Sequence, residues 1–204
     1  MHDSFSYLTL QRQNRARFTV QGSKFIATMG PAASEEAARA FIEAVCSEFP
    51  DATHHAYAYR IGSGSDILER SSDDREPTGT AGPPMLQVMQ GNNLSDAVVV
   101  ATRYFGGTKL GVGGLTRAYR DCARQAINEA NLIIKEPFKH YRLKTSYEDY
   151  GAVTRLLESN EGKLVTVSYT GSVILEVTLP LRQAEQFTAS FKSTTRGRGS
   201  CELI

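Results

Sequence analysis

The chain has 204 residues, 41% of them hydrophobic, and a formal net charge of +1 at pH 7. This length suits one large domain or two small ones with real hydrophobic cores. The balanced charge excludes a generally polycationic nucleic-acid binder, so affinity for RNA has to come from local clustering of cations. The three isolated cysteines indicate neither a disulfide framework nor a zinc ribbon, and because no apolar run approaches the roughly 20 residues of a membrane helix, we expect a cytoplasmic protein with no membrane partner.

An opening hairpin and a helix are predicted before residue 50. Two β-type segments flank the turn at residues 21–23, after an extended lead-in. Ser34 is a suitable helix N-cap, the two glutamates that follow it favour a helix N-terminus, and Pro50 ends the helical pattern. Apolar side chains repeat at helical spacing between them, which predicts one buried face. We interpret this helix as structural.

Residues 53–61 alternate as a β-strand does, which sends His54 and His55 to opposite faces. The two histidines therefore cannot chelate one metal ion together. A turn at residues 62–66 and a strand that begins at Ile67 complete this part of the chain.

The segment at residues 71–84 is rich in Gly, Pro and acidic residues, so it predicts a long loop before a helix near Met85 to Met89. Its carboxylates could hold Mg²⁺ or act as acid and base. Alternatively, they cap turns and helix ends or pair with Arg103 and Arg117, which we favour because no nucleophile or histidine partner stands at a recognisable spacing. A second Gly/Thr turn precedes the helix, so two turns that favour anions could converge. The residues that could contribute to a site here are Asp73, Asp74, Glu76, Thr78, Gly79 and Thr80, together with His54 and His55 upstream.

The stretch from Arg103 to Arg120 leaves an apolar strand, crosses a glycine-rich turn and begins a helix. Residues 97–101 predict a strand buried on both faces, and helical spacing runs from Leu115 to about Asn131. Free N–H groups and a partial positive charge at a helix N-terminus favour an anion there. Glycines, cations and aromatic side chains together predict a phosphate or nucleic-acid site: Gly106, Gly107, Gly111, Gly113, Gly114, Arg103, Lys109, Arg117, Arg120, Tyr104, Phe105 and Tyr119.

The spacing of these residues matches neither a Walker loop nor a G-x-G-x-x-G fingerprint. A second interpretation therefore stays open, in which the glycines allow tight packing and the cations are simply solvated. Arg117, Arg120 and Arg124 fall opposite the apolar face of the helix. Such a basic stripe suits a phosphate backbone but is also ordinary for a surface helix.

The apolar pattern restarts after a charged link around Pro137, which predicts two domains, at residues 1–136 and 137–204. The second part has the order strand, helix, two strands, helix, strand, with Pro180 at the start of its last helix. This order predicts a ferredoxin-like βαββαβ domain. No set of residues in it resembles a catalytic constellation.

Three blocks of the sequence resemble the signature motifs of the YigZ/IMPACT family, and the similarity covers nearly the whole chain. They lie at residues 73–82, 103–107 and 110–119, with the two histidines upstream. The resemblance implies an α+β fold of two domains: an α/β sandwich similar to ribosomal proteins and to domain IV of elongation factor G, and a ferredoxin-like domain similar to domain V. Two positions depart from the family pattern. Arg75 stands where Gly is usual, and Ala56 follows the histidines where bacterial members often have Cys.

The family resemblance implies a role in translation regulation and nucleic-acid binding, with no established enzyme reaction. We expect an RNA- or ribosome-binding protein that recognises phosphate at the glycine-rich turn, with Tyr104 and Tyr119 stacking on bases, and without catalytic residues, metal or cofactor. Two alternatives stay open. One is a metal-dependent hydrolase or phosphotransferase that uses the acidic loop, and the other is a protein-interaction module that acts on a translation regulator. The sequence carries no prediction of an oligomeric state.

Overall fold

The computed structural model describes residues 6–64 and 67–204, which form two compact units that divide between Lys135 and Glu136. Each unit has its own sheet and its own buried apolar side chains. The predicted α+β fold class is confirmed. The turn predicted at residues 62–66 lies partly outside the described residues. Among the helices of the described part of the chain, none is long and apolar enough to cross a membrane.

The N-terminal unit is built around a sheet with the strand order β2-β3-β6-β4-β5, in which all neighbours are antiparallel. A separate two-stranded sheet pairs β1 with β7. In chain order the elements are β1 (Tyr7–Leu10), β2 (Asn14–Val20), β3 (Ser23–Pro31), α1 (Glu35–Glu48), β4 (His54–Ile61), β5 (Leu68–Ser72), α2 (Gly82–Gly91), β6 (Ala97–Tyr104), α3 (Gly111–Asn128) and β7 (Leu132–Lys135).

Strand β6 is the centre of this unit because its side chains are apolar on both faces. Ala97, Val99 and Ala101 pack in a core with side chains of α2 and α3. Val98 and Val100 pack in a second core with side chains of α1. The sheet is therefore the middle layer of three, and the carboxyl end of β6 leads directly to the turn before α3.

The sequence pattern predicts only an extended lead-in at the start of the chain, whereas the structure pairs β1 with β7. Asp96 joins this pair to the main sheet. Its carboxylate accepts hydrogen bonds from the Tyr7 hydroxyl (2.6 Å), the Lys135 ammonium and the Gly62 N–H. Burial alone would raise the pKa of Asp96, but these three donors outweigh it and hold that pKa below its ordinary value.

The C-terminal unit confirms the predicted ferredoxin-like order, with an antiparallel sheet arranged β11-β8-β10-β9. Both helices contribute to one core on one face of this sheet, through side chains such as Val153 and Phe187. The other face carries polar side chains such as Arg142 and Glu176, whose Nη2 and Oε1 atoms lie 2.9 Å apart. The elements are β8 (Phe138–Thr145), α4 (Tyr150–Ser159), β9 (Lys163–Tyr169), β10 (Val173–Pro180), α5 (Leu181–Thr194) and β11 (Ser200–Leu203).

Candidate functional site

The glycine-rich turn joins the end of β6 to the start of α3. The helix begins at Gly111, four residues before the start that the spacing predicts, so the last three glycines lie in its first turn. Gly111 has a φ of +69°, which a residue with a Cβ rarely adopts. Gly106 has a different role, because a Cβ there would lie 1.9 Å from the carbonyl carbon of Gly22 in the β2–β3 hairpin. Tight packing therefore explains Gly106, whereas a Cβ at Gly107 or Gly111 would meet no atom of the described residues within 4 Å.

The N-terminus of α3 has no side-chain cap. Leu110 occupies the N-cap position, and within the described residues its side chain makes no capping hydrogen bond. The first N–H groups of an α-helix have no partner inside the helix, and this end carries a partial positive charge. The start of α3 therefore presents backbone donors and positive potential to an anion.

The four predicted cations have different surroundings. Lys109 and Arg117 are exposed, and neither forms an ion pair with another residue in the described part of the chain. Arg120 is half-buried and donates a hydrogen bond to Gln87 Oε1 at 3.3 Å. Arg103 is buried, with Nη1 only 2.6 Å from Glu76 Oε1. Lys109 and Arg117 are thus the exposed cations with free charge. The acceptor of Arg120 is a neutral amide, and the charge of Arg103 is balanced inside the protein.

Glu76 is the acceptor of a buried hydrogen-bond cluster behind the turn. Its Oε1 accepts from Arg103 Nη1 and, at 2.7 Å, from the Tyr119 hydroxyl, and His54 Nε2 lies 3.9 Å away. Burial and the neighbouring Glu76 raise the pKa of Tyr119, so its hydroxyl remains protonated and donates. Because Tyr119 is fully buried, the prediction that it stacks on a base is wrong.

Arg103 has one donor that the protein leaves unused. Its guanidinium carbon lies 5.5 Å from the ring centre of Phe25 and 5.6 Å from that of Phe105. Nη2 donates to the Ser23 hydroxyl at 3.2 Å, but Nε is buried and has no hydrogen-bond partner among the described residues. A buried donor without an acceptor is uncommon in native proteins. Nε of Arg103 is therefore an unsatisfied buried donor.

The acidic loop serves the helix that follows it. Asp73 Oδ1 accepts hydrogen bonds from the N–H groups of Ala81 and Gly82, both at 2.9 Å, and its Oδ2 accepts from Gly79 at 2.8 Å. Asp73 thereby caps α2. The exposed Thr78 and the buried Thr80 belong to the same turn, so the second anion-friendly turn already holds a carboxylate of the chain. The expectation that two turns that favour anions converge is therefore wrong, because Asp73 already occupies the turn before α2.

The other loop contacts agree with the interpretation that the acids cap and pair. Asp74 Oδ2 accepts from the backbone N–H of His55 at 2.6 Å, and the Asp74 carbonyl lies 2.8 Å from His54 Nδ1. The imidazole of His55 contacts the Thr102 hydroxyl and the Phe49 carbonyl instead, so the histidines lie on opposite faces as predicted. Within the described residues, no three His, Cys, Asp or Glu side chains come together as a metal site requires.

The aromatic side chains of the turn are only partly accessible. Tyr104 is half-buried, and its hydroxyl donates to Asp51 Oδ1 at 2.9 Å. Phe105 is 46% exposed and Val112 is 65% exposed. Phe105 belongs to the aromatic side chains that the sequence groups with the cations of the turn. Val112 was missed, although an apolar side chain inside a glycine-rich, cationic turn is a signal that could have identified it.

A cavity of about 360 Å³ lies at the start of α3. Its polar lining comes from the ion pair and from Lys109, and the remaining lining is mainly apolar. The side chains and backbone that form it belong to Glu76, Pro77, Arg103, Phe105, Lys109, Leu110, Gly111, Val112 and Leu115. The structure therefore brings part of the acidic loop and the glycine-rich turn together around one space.

Comparison with known proteins identifies two matching family models. The Impact N-terminal domain matches residues 21–127, and the elongation factor G C-terminus matches residues 133–204. The IMPACT family member YigZ of Escherichia coli strain K12 is 37% identical over 186 residues, which cover 91% of this chain and 90% of that protein. The member YvyE of Bacillus subtilis strain 168 is 31% identical over 193 residues, which cover 95% and 88%. A crystal structure of a hypothetical protein superimposes with a TM-score of 0.68 at 33% identity, covering 98% of this chain and 97% of that one.

Proposed function

This chain belongs to the IMPACT family, and on that premise we propose that it acts in translation by binding RNA or the ribosome, with phosphate recognised at the turn between β6 and α3. The observation that carries the proposal is the uncapped start of α3 beside two exposed cations without ion-pair partners, Lys109 and Arg117. The similarity of residues 133–204 to the C-terminus of elongation factor G supports the translation-related part.

Recognition of this kind requires positioning and charge but no reaction. Backbone N–H groups of the first turn of α3 donate to phosphate oxygens, and Lys109 and Arg117 neutralise the phosphate charge. Arg120, one turn further along α3, extends the positive surface. Arg124 contributes less, because its Nη1 lies 2.9 Å from Asp121 Oδ1.

The salt dependence of RNA affinity tests the proposal. We expect the wild-type protein to bind a fluorescein-labelled single-stranded RNA with an affinity that falls as salt rises. Lys109→Ala and Arg117→Ala should each weaken binding to all sequences and reduce the log–log salt slope by about one, because fewer counterions are released. Fluorescence anisotropy measures both quantities. Arg124→Ala is the matched control, since it removes a cation of the same helix whose charge is already balanced.

Two results would contradict the proposal. The first is unchanged RNA binding in a folded Lys109→Ala, Arg117→Ala double variant. The second is loss of binding on replacing Arg196, which lies in the C-terminal unit beside Arg198; Arg198 itself is 3.0 Å from Asp149. Co-sedimentation with ribosomes distinguishes binding to RNA from binding to a protein partner. Association that survives nuclease treatment and does not depend on Lys109 would indicate a protein partner.

A further inference from the structure

We propose that the cavity at the start of α3 binds one unstacked nucleotide, with its phosphate at the helix N-terminus and its base among apolar side chains. The inference rests on the proposed function, because it names the part of a nucleic acid that the same turn recognises. The ligand chemistry is a nucleobase joined to a single phosphate. It can come from an unpaired nucleotide of a strand or from a free nucleotide.

The cavity has two chemically different parts. The first turn of α3, Lys109 and Arg103 provide donors, and Phe105 and Val112 are among the apolar residues of the lining. The free positive charge comes from Lys109, because Glu76, which also lines the cavity, balances the charge of Arg103. A polynucleotide backbone carries a charge at every nucleotide, and charged groups are costly to place against apolar side chains. One base with one phosphate matches both parts. The volume of about 360 Å³ lies in the usual range of small-ligand sites.

Arg103 supplies an observation that is independent of the helix N-terminus. The residue is only 4% exposed, and Glu76 and Ser23 hold its two Nη atoms in place. Its buried Nε has no partner in the described part of the chain. A phosphate oxygen or a base carbonyl would give this donor the acceptor that it lacks. The guanidinium is fixed in position before any ligand arrives, which reduces the entropic cost of binding.

Phe105 provides the surface for the base. Its ring is 46% exposed and lies over the guanidinium of Arg103, with 5.6 Å between the ring centre and the guanidinium carbon. Aromatic rings and arginine planes are the side chains on which unpaired bases stack. Val112, which is 65% exposed, adds an apolar contact at the same cavity. A paired base in a duplex cannot enter such a space, so single strands are favoured.

Calorimetric titration with three probes tests the inference on the full chain: adenosine 5′-monophosphate, adenosine and inorganic phosphate. We expect the monophosphate to bind at least about tenfold more tightly than either of the others, because only it engages both parts of the cavity. Phe105→Ala should weaken binding of the monophosphate about fivefold or more, and Phe105→Tyr should restore it. Val112→Ser should weaken it to a smaller extent. Circular dichroism and thermal unfolding show whether each variant is folded.

Equal affinity for inorganic phosphate and adenosine 5′-monophosphate would overturn the inference, as would unchanged binding in folded Phe105→Ala. RNA binding that still depends on Lys109 would then leave the proposed function standing. Failure of the proposed function alone gives a different result. Binding of the monophosphate that depends on Phe105, together with no binding of single-stranded RNA, would remove the proposed function and identify a free nucleotide as the ligand.

Discussion

The N-termini of α2 and α3 both follow glycine-containing turns in the N-terminal unit, but they are satisfied differently. At α2, the carboxylate of Asp73 accepts three backbone hydrogen bonds. At α3, Leu110 provides no side-chain cap, and the exposed Lys109 and Arg117 lie nearby. The anion at α2 is part of the chain, whereas an anion at α3 has to come from outside. A glycine-rich turn before a helix is therefore not by itself a binding site; the difference is whether the chain already fills it.

Breaking the contact between the two regions should have the largest effect. Glu76 lies in the loop that caps α2, yet it accepts hydrogen bonds from Arg103 and from Tyr119 of α3. Glu76→Ala leaves a buried cation and a buried hydroxyl without an acceptor, so we expect the free energy of unfolding to fall by about 3–5 kcal/mol. Urea denaturation measures this change. Asp121→Ala, which removes an exposed carboxylate, is the control, and a loss as small as that of the control would show that the ion pair does not stabilise the fold.

Removing the cap of α2 tests the first half of the comparison. Asp73→Ala leaves the N–H groups of Gly79, Ala81 and Gly82 without their acceptor, and we expect a loss of about 2 kcal/mol of unfolding free energy. Asp73→Asn keeps one acceptor oxygen and should lose less. If α2 and its turn were held only by packing, both variants would unfold at the wild-type urea concentration.

The elements that the sequence predicts correctly are those with local signals. Helix α1 has an N-cap serine whose hydroxyl accepts from Ala37 N–H, and β6 is a run of small and β-branched apolar residues. The burial of Tyr119 also follows from helical spacing, which places it on the same face as Cys122. The expectation that it stacks on a base conflicted with that spacing, and the spacing was the better guide.

Features that depend on distant residues could not be predicted. The pairing of β1 with β7 joins the two ends of the N-terminal unit, and four-residue strands carry little pattern of their own. The early start of α3 at Gly111 contradicts helix propensity, because glycine is a poor helix former. The sequence does predict that the acidic loop pairs with Arg103, and Glu76, 27 residues away, confirms it. The burial of that pair could not be predicted, because it depends on the packing of both segments.

Asp96, which lies at neither helix N-terminus, provides a reference for how much a buried, hydrogen-bonded carboxylate stabilises this unit, and pH tests it. The pKa of Asp96 is below its ordinary value, so its contribution to stability is complete above the unfolded pKa of about 4 and is lost as the pH falls through the folded pKa. Lys135→Met removes one donor, and we expect a loss of about 1–2 kcal/mol at pH 7. The difference between variant and wild type should shrink below about pH 4. Urea denaturation at several pH values measures it, and a difference independent of pH would contradict the role of the Asp96 charge.

The loop before α2 also contains backbone strain that one substitution can relieve. Arg75 has a φ of +66°. Its side chain is 79% exposed and its contact with Asp74 is 3.4 Å, so loss of that ion pair should cost little. Arg75→Gly should raise the free energy of unfolding by about 0.5 kcal/mol, because relief of the left-handed strain exceeds the added entropy of the unfolded chain. Arg75→Ala is the matched control, since it removes the charge but keeps the Cβ, and equal stability of the two variants would show that strain is not the cause.

The smallest effect on stability is expected at the start of α3, and it decides whether the two regions really differ. Lys109 and Arg117 are exposed and have no ion-pair partner in the described part of the chain, so replacing either by Ala should change the free energy of unfolding by less than about 0.5 kcal/mol. Added phosphate should stabilise the wild type more than either variant, because an anion that binds only the folded protein stabilises it by mass action. Thermal unfolding in phosphate and in chloride of equal ionic strength measures this, with Arg124→Ala as the control for general salt effects. Destabilisation comparable to that of Asp73→Ala, already present in chloride, would show that these cations hold the fold together and that both helix N-termini are structural.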